Sequence, residues 1–370
     1  MNFGLTEEQE VLRTVARRYM DERAPMPVVR RIMESPEAFD EGIWASISDL
    51  GWPGLIVAEE YGGAGLDWVD LVVLLEETGR GLLPAPLVST SLAAAAISEF
   101  GSDDQKKRFL PSLANGSAIG TLGVLEGSDM LGTAGIALPG ASADGGYRLN
   151  GAKHFVHDAG IATLIIVPFL ANEKISLVIV ESKAKGVAAT SRRTMDETKS
   201  MGDVTFDNVL VSPDALLPSA GEAALNRLLD LAAVAVTAEM VGAMERDLEI
   251  TTQYAKDRIQ FDQPIGKYQG VKHPLAEMYV EVETSRSLMY YAAWCARGAP
   301  EDLPLAAARA KAFASEAFMR IGVDGVQLHG AIGFTAEYDI QLYLKRSKWA
   351  LVAFGDTDYH YERVAALGGY

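Results

Sequence analysis

The hydrophobic pattern of this chain changes period twice, and those two changes constrain its fold more than any other feature. Up to about residue 115 apolar residues recur at helical spacing, with Leu12, Val15, Ala16 and Tyr19 lining one face of the first segment, since side chains three and four apart share a helix face. Near Ile119 the texture shifts to short runs rich in Gly, Val, Ile and Thr, separated by turn residues, and it keeps that character to about Leu217. From about Gly221 helical spacing returns and persists to the end. At 370 residues the chain exceeds one ordinary core. The pattern predicts an α+β multidomain protein with a helical N-terminal domain (1–117), a β-barrel-like middle domain (118–217) and a C-terminal four-helix bundle (218–370).

Local signals refine this. Thr6 and Gln9 have capping-box spacing, so a helix starts there. Further helices are expected around Glu41–Leu50, Trp68–Thr78, Leu87–Phe100 and Asp103–Leu113, punctuated by Pro53, Gly62, Gly63, Gly65 and Pro84. Strands are expected at Thr163–Leu170, Ile175–Glu181, Gly186–Thr190 and Asn208–Val211, and Asn150-Gly151 reads as a hairpin turn. Helices follow at Glu222–Ala255, Gly270–Arg297, Pro304–Ile321 and from Asp339–Tyr343 onward.

Hydrophobic residues make up 49% and charged residues 22%, the balance of a globular protein. A net charge of −17 argues against nucleic acid and against anionic membrane surfaces. It leaves room for one local basic pocket that takes a phosphorylated ligand. The single Cys295 lies in an apolar helical run and reads as a core residue; it offers neither an internal disulfide nor a metal cluster, so no metal site is expected. Met1 leads straight into an acidic helix start, and the apolar runs are too short to span a membrane. The expected location is the cytoplasm, without membrane insertion.

One stretch narrows the chemistry. In Arg258-Ile259-Gln260-Phe261-Asp262-Gln263-Pro264-Ile265-Gly266-Lys267-Tyr268-Gln269 a cation follows a helical run, a turn with Pro264 and Gly266 comes next, and a second helix begins near Gln269. An always-charged guanidinium and a neutral amide suit a diphosphate; the plainer reading is a surface salt bridge and an ordinary helix start. Other motifs lie along the chain: Glu59-Glu60-Tyr61-Gly62-Gly63-Ala64-Gly65, Tyr147-Arg148-Leu149-Asn150-Gly151-Ala152-Lys153, Phe206-Asp207-Asn208-Val209, and Gln327-Leu328-His329-Gly330-Ala331-Ile332-Gly333-Phe334. In order and spacing they resemble the acyl-CoA dehydrogenase family over the whole length.

That resemblance implies FAD-dependent α,β-dehydrogenation of an acyl thioester, acyl-CoA above all, with electrons passing to an electron-transferring flavoprotein. It implies Arg258, Gln269, Gln327 and Gly330 around FAD, with Phe155 and His157 on the flavin side. It also implies a homo- or hetero-oligomer, a dimer or tetramer, because the Arg258 and Gln327 motifs meet across subunits in the family. Counting back from Arg363 places Asp356 where the family carries its α-proton base, while Asp356 is equally suited to cap the last helix. The family's other base position falls near Ala232 and Ala233, which bear no carboxylate, and Ala233 also stands where an Arg near CoA is usual. Another thioester carrier or another anchoring cation therefore stays open.

The β-domain run Phe155-Val156-His157-Asp158 and the segment Val124-Leu125-Glu126-Gly127-Ser128-Asp129 depart from the family pattern. Such departures resemble members that pair two unlike chains. Two alternatives follow: a non-catalytic subunit that completes a partner's FAD site, and a flavin oxidase or monooxygenase on the same fold.

Overall fold

The computed structural model describes residues 4–35, 37–143 and 145–370. Six helices come first: α1 (Glu7–Arg23), α2 (Met26–Met33), α3 (Glu41–Asp49), α4 (Trp68–Arg80), α5 (Leu87–Phe100) and α6 (Asp103–Ala114). Strands follow: β1 (Gly120–Leu122), β2 (Pro139–Ala143), β3 (Gly146–His157), β4 (Leu164–Ala171), β5 (Lys174–Glu181), β6 (Val187–Arg192) and β7 (Met201–Val211). Then come α7 (Glu222–Asp257), a small hairpin of β8 (Ile259–Gln260) and β9 (Gln263–Pro264), α8 (Gln269–Gly298), α9 (Leu303–His329), α10 (Ile340–Val352) and α11 (Thr357–Gly368). The fold is thus a helical N-terminal part, a curled middle sheet and a helical C-terminal part.

The chain gathers into two compact units: Met1–Arg30 with Trp68–Leu83 and Ala233–Tyr370, and Arg31–Asp67 with Pro84–Ala232. In the first, α1 packs on α4, α4 on α8, and α8, α10 and α11 on α9. The Thr6 cap is a complete box: Gln9 N donates to Thr6 Oγ1 at 3.2 Å and Thr6 N to Gln9 Oε1 at 3.0 Å. Helix α9 buries Ala306, Ala307, Ala308, Ala310, Ala312, Ala314 and Ala317, and such small side chains let neighbouring helices approach closely.

Helices α4 and α7 come closer still. A Cβ on Gly79 would lie 2.2 Å from the Glu239 carbonyl oxygen, and one on Gly242 only 1.7 Å from that of Glu76. This approach buries Glu76 and Glu77. Both carboxylates are matched: Glu77 takes two hydrogen bonds from Arg17, at 2.9 and 2.7 Å, and Glu76 accepts from Arg286 at 2.8 Å and from Tyr290 at 3.0 Å. Burial raises the Glu76 carboxyl above its ordinary value, against the pull of Arg286.

The second unit is built on the seven-stranded sheet, in the order β1-β4-β2-β3-β7-β6 with β5 also on β4. Strands β1 and β2 run parallel to β4, and the remaining pairs are antiparallel. Its core is apolar, with Leu149, Val156, Ile165, Phe169, Val204 and Phe206 fully or nearly buried. Asn150-Gly151 is not the hairpin turn its sequence suggested. It lies inside β3, and the pairing of β2 with β3 begins instead at Ala143 opposite Gly146.

The register explains this. Tyr147 pairs with Val211 and Leu149 with Val209, but Gly151 pairs with Phe206, so β7 carries one extra residue there. Farther on, Lys153 pairs with Val204 and Val156 with Gly202, so the extra residue is now on β3 and the original register returns. Asn150 serves the first bulge, its Oδ1 accepting from Asn208 N at 2.8 Å. Asn208 and Phe155, one near each bulge, have φ of 55° and 48°.

The helical run from Asp339 onward is two helices, α10 and α11, separated at Phe354 (φ 53°) and Gly355 (φ 105°), and Asp356 caps the second. Cys295 is buried, as its apolar surroundings predict. Among the described residues no helix is long and apolar enough to cross a membrane.

The α4–α7 approach is directly testable. Gly242→Ala is expected to lower stability at or above the top of the roughly 1–3 kcal/mol range for overpacking. Gly270→Ala, in α8 where a Cβ meets nothing within 4 Å, is expected to be neutral or stabilising. Thermal denaturation of the two variants checks the contrast.

Candidate functional site

Three places carry the residues that the sequence singles out. The first lies at the end of α7, in the helical unit. Arg258 N closes the helix on Tyr254 O at 2.8 Å, and Ile265 N donates to Arg258 O at 2.9 Å, folding the chain back through the β8–β9 hairpin. Phe261 and Asp262 make that turn, both with positive φ (53° and 61°), as a two-residue hairpin requires. The Arg258 side chain is exposed and has no hydrogen-bond partner among the described residues.

Gln269, also exposed, opens the 30-residue α8. The N-cap there is Tyr268, which makes no side-chain cap, and the first turn holds no acidic residue. A helix start left uncapped presents backbone N–H donors and the positive end of the macrodipole. Lys267 and Lys272 are exposed beside it. In a chain of net charge −17 this basic corner suits an anion, and a diphosphate is the kind that a helix N-terminus with a guanidinium can hold.

The second place is the end of α9. Gln327 is exposed, and Gly330 has φ 65° with no atom within 4 Å of a built Cβ, so a ligand can approach its backbone. Between them His329 is buried. Its Nδ1 is 2.7 Å from Gly325 O, and its ring packs against Tyr254 at 4.4 Å and Tyr338 at 5.1 Å, tilted to both. The Tyr254–His329 ring contact joins the ends of α7 and α9. The structure therefore brings the Arg258 corner and the Gly330 turn to neighbouring elements. This donor set fits FAD on its diphosphate side.

Phe155 and His157 lie in the sheet unit, at the second bulge and at the end of β3. Phe155 is half exposed and its ring carries the Arg192 guanidinium at 5.2 Å. Arg192 in turn pairs with Asp203, as does His154. His157 is largely enclosed, and burial, then the nearby Lys199, pushes its imidazole down to about 3, so it is neutral. Its carbonyl accepts from Thr121 Oγ1 at 2.6 Å. The next residue, Asp158, accepts from Ser89 Oγ at 2.5 Å.

Asp356 sits in the third place, the turn between α10 and α11. It is exposed and caps α11, with Oδ1 accepting from Tyr359 N at 2.8 Å. Two buried groups hold this turn from beneath: Lys311, which sequence reasoning missed, and His360. Lys311 donates to Gly355 O at 2.9 Å, Leu351 O at 3.2 Å and Ser315 Oγ at 3.1 Å. His360 approaches Phe354 O at 3.0 Å through Nε2, while its Nδ1 has no partner among the described residues. The one signal for Lys311 was a charge within the Ala-rich run 306–314; its target could not be read locally.

The chain thus combines a helical N-terminal part, a curled middle sheet and helices after it, with a basic corner at the end of α7. Family profiles described as acyl-CoA dehydrogenase N-terminal, middle and C-terminal domain match residues 6–117, 125–209 and 220–368. Acyl-CoA dehydrogenase IpdE2 of Mycolicibacterium smegmatis is 31% identical over 363 residues, covering 98% of this chain and 99% of that protein. Among solved structures, a variant of the Tcur3481-Tcur3483 steroid ACAD superposes with a TM-score of 0.90 at 31% identity, covering 98% of each chain. The ChsE4-ChsE5 complex of Mycobacterium tuberculosis gives a TM-score of 0.93 at 25% identity, covering 100% of this chain and 99% of that one. The chain belongs to the acyl-CoA dehydrogenase family, a family of FAD-dependent oxidoreductases acting on CH–CH bonds.

The buried His360 makes stability depend on pH. Burial, then Lys311, pushes its imidazole down from 6.5 to about 3. The unfolded chain therefore binds a proton that the folded chain refuses. The stabilisation is complete above pH 6.5 and is lost as pH falls toward 3, at about 1.4 kcal/mol per pH unit. Urea unfolding between pH 7 and 5 is expected to show a shallower loss in His360→Gln by about that slope.

Proposed function

We propose that this chain carries out FAD-dependent α,β-dehydrogenation of an acyl-CoA thioester. The observation that carries this reading is the Arg258 guanidinium, unpartnered among the described residues, the uncapped α8 N-terminus with Gln269, and the exposed Gln327 beside the open Gly330 turn, in a chain of this family. FAD, when bound, supplies the acceptor for the hydride that leaves the β-carbon. Arg258 and Gln269 hold the diphosphate, while Gln327 offers its side-chain amide and Gly330, with no side chain, leaves room for the cofactor at the end of α9. Phe155 packs on the flavin side of the sheet, and neutral His157 offers a hydrogen bond there. Asp356 takes the α-proton. Its Oδ1 is occupied by the cap, so Oδ2 is the atom that receives the proton. Electrons then leave to an electron-transferring flavoprotein.

One contrast favours a second reading. Arg258, Gln269 and Gln327 have side chains with no hydrogen-bond partner among the described residues, whereas Phe155 lies beneath Arg192 and Asp356 already caps α11. On this reading the chain is a non-catalytic subunit that lends its diphosphate donors to a second, unlike chain bearing the base. Its likeness to the ChsE4-ChsE5 complex agrees with such an arrangement.

Two variants separate the readings. Asn caps a helix about as well as Asp, so Asp356→Asn is expected to keep the melting temperature and FAD content. If Asp356 is the base, flavin bleaching by acyl-CoA without oxygen is abolished; unchanged bleaching ends that assignment. Arg258→Gln removes a charge-assisted hydrogen bond worth about 1.5–3 kcal/mol. FAD affinity, followed by fluorescence quenching, is expected to weaken roughly ten- to a hundredfold. A wild-type protein that is colourless alone and yellow only after co-expression with a second dehydrogenase-like chain selects the subunit reading.

A further inference from the structure

The sheet unit contains a buried ion pair that the reaction does not call for. Lys153 is the last residue of the register-shifted stretch of β3 and is fully buried, and its Nζ donates to Glu126 Oε1 at 2.5 Å and to Val124 O at 3.3 Å. The same Glu126 carboxylate accepts from two backbone amides across a loop: Leu138 N to Oε1 at 3.1 Å and Ala137 N to Oε2 at 3.0 Å. Glu126 therefore begins the 127–136 loop with its backbone and closes it with its side chain.

Inside the loop Asp129 N donates to Glu126 O at 3.0 Å, and Gly135 packs so tightly on Met130 O that a Cβ would lie 1.8 Å away. This is a compact loop with its ends held together. Its tip exposes Met130. The loop is also tied to the second bulge of β3, because His154 N donates to Leu125 O at 2.8 Å, immediately before the outward, positive-φ Phe155.

A buried ion pair is a poor source of net stability, since apolar side chains of the same volume pack as well; its better-attested use is to select one arrangement. We propose that Lys153 is a positioning residue: through Glu126 it latches the 127–136 loop beside the turn at Phe155 and so fixes the sheet surface that meets FAD. The inference rests on the reading of Phe155 as a flavin-side residue. Burial pushes the Lys153 amine down to about 8, a cost that Glu126 partly offsets, which agrees with an amine held for its partner.

Hydrogen exchange of the FAD-free protein reads the latch directly. In Lys153→Met the amides of Ala137 and Leu138 are expected to exchange roughly tenfold faster or more, with those of β4 and β5 unchanged. FAD affinity, by fluorescence quenching, is expected to fall about tenfold. Adding Glu126→Gln to that variant removes the stranded carboxylate and is expected to recover part of both losses. Wild-type exchange at Ala137 and Leu138 overturns the latch, whatever the melting temperature does. Should Lys153→Met fail to fold, Glu126→Gln alone, which keeps an amide oxygen for only part of the set, carries the same test. Phe155→Ala separates the underlying reading: FAD affinity equal to wild type removes the flavin-side role, while the exchange result still stands or falls by itself.

Discussion

The backbone of α4 lies against that of α7, and the helical unit is arranged around that contact. With glycine at 79 and 242 there is no room for a side chain at the crossing. The approach encloses Glu76 and Glu77, and enclosed carboxylates need partners. Those partners come from α1 through Arg17 and from α8 through Arg286 and Tyr290. One steric constraint thus sets the positions of four helices through charge. A similar restriction recurs farther along α7, where Gly325 of α9 leaves room for the buried Asp247 carboxyl, 2.2 Å from where a Cβ would be. The same helix ends at the Tyr254–His329 ring contact, so the placement of Arg258 follows from packing that begins at its other partners.

Much of this architecture was legible because its signals are local. The Thr6 capping box, helical spacing and the Pro264–Gly266 turn between Arg258 and Gln269 each depend on residues within a few turns of one another, and helices α3 to α6 fall within a residue or two of expectation. Asn150-Gly151 was misread because the same dipeptide suits a tight turn and a strand irregularity alike. Only the partner strand decides, and the partner lies 58 residues away, at Asn208. The start of α11 at Asp356 was legible from its cap, but the left-handed Phe354 before it was not, because the groups that hold this turn, Lys311 on Gly355 O and His360 on Phe354 O, come from α9 and from within α11.

The candidate site divides along the same line. The family pattern picked out Arg258, Gln269, Gln327 and Gly330, whose surroundings are short and sequential. The buried groups behind the other candidates, Glu126, Lys153, Lys311 and His360, gain their meaning from contacts between distant segments. Asp356 shows the limit most clearly. A short acidic residue before a helix is what a cap needs and also what proton abstraction needs, and sequence cannot separate two uses of one atom type.

The two bulges of the β3–β7 ladder behave like a pair of dislocations of opposite sign. Each alone would turn every residue beyond it from the core face to the solvent face; together they cancel, and the disturbance is confined to three rungs. Length changes in these strands are therefore not independent. Losing one residue beside Asn208 is tolerable only with a matching loss beside Phe155, so related chains should gain or shed this pair together, and the outward aromatic should disappear whenever its distant counterpart does.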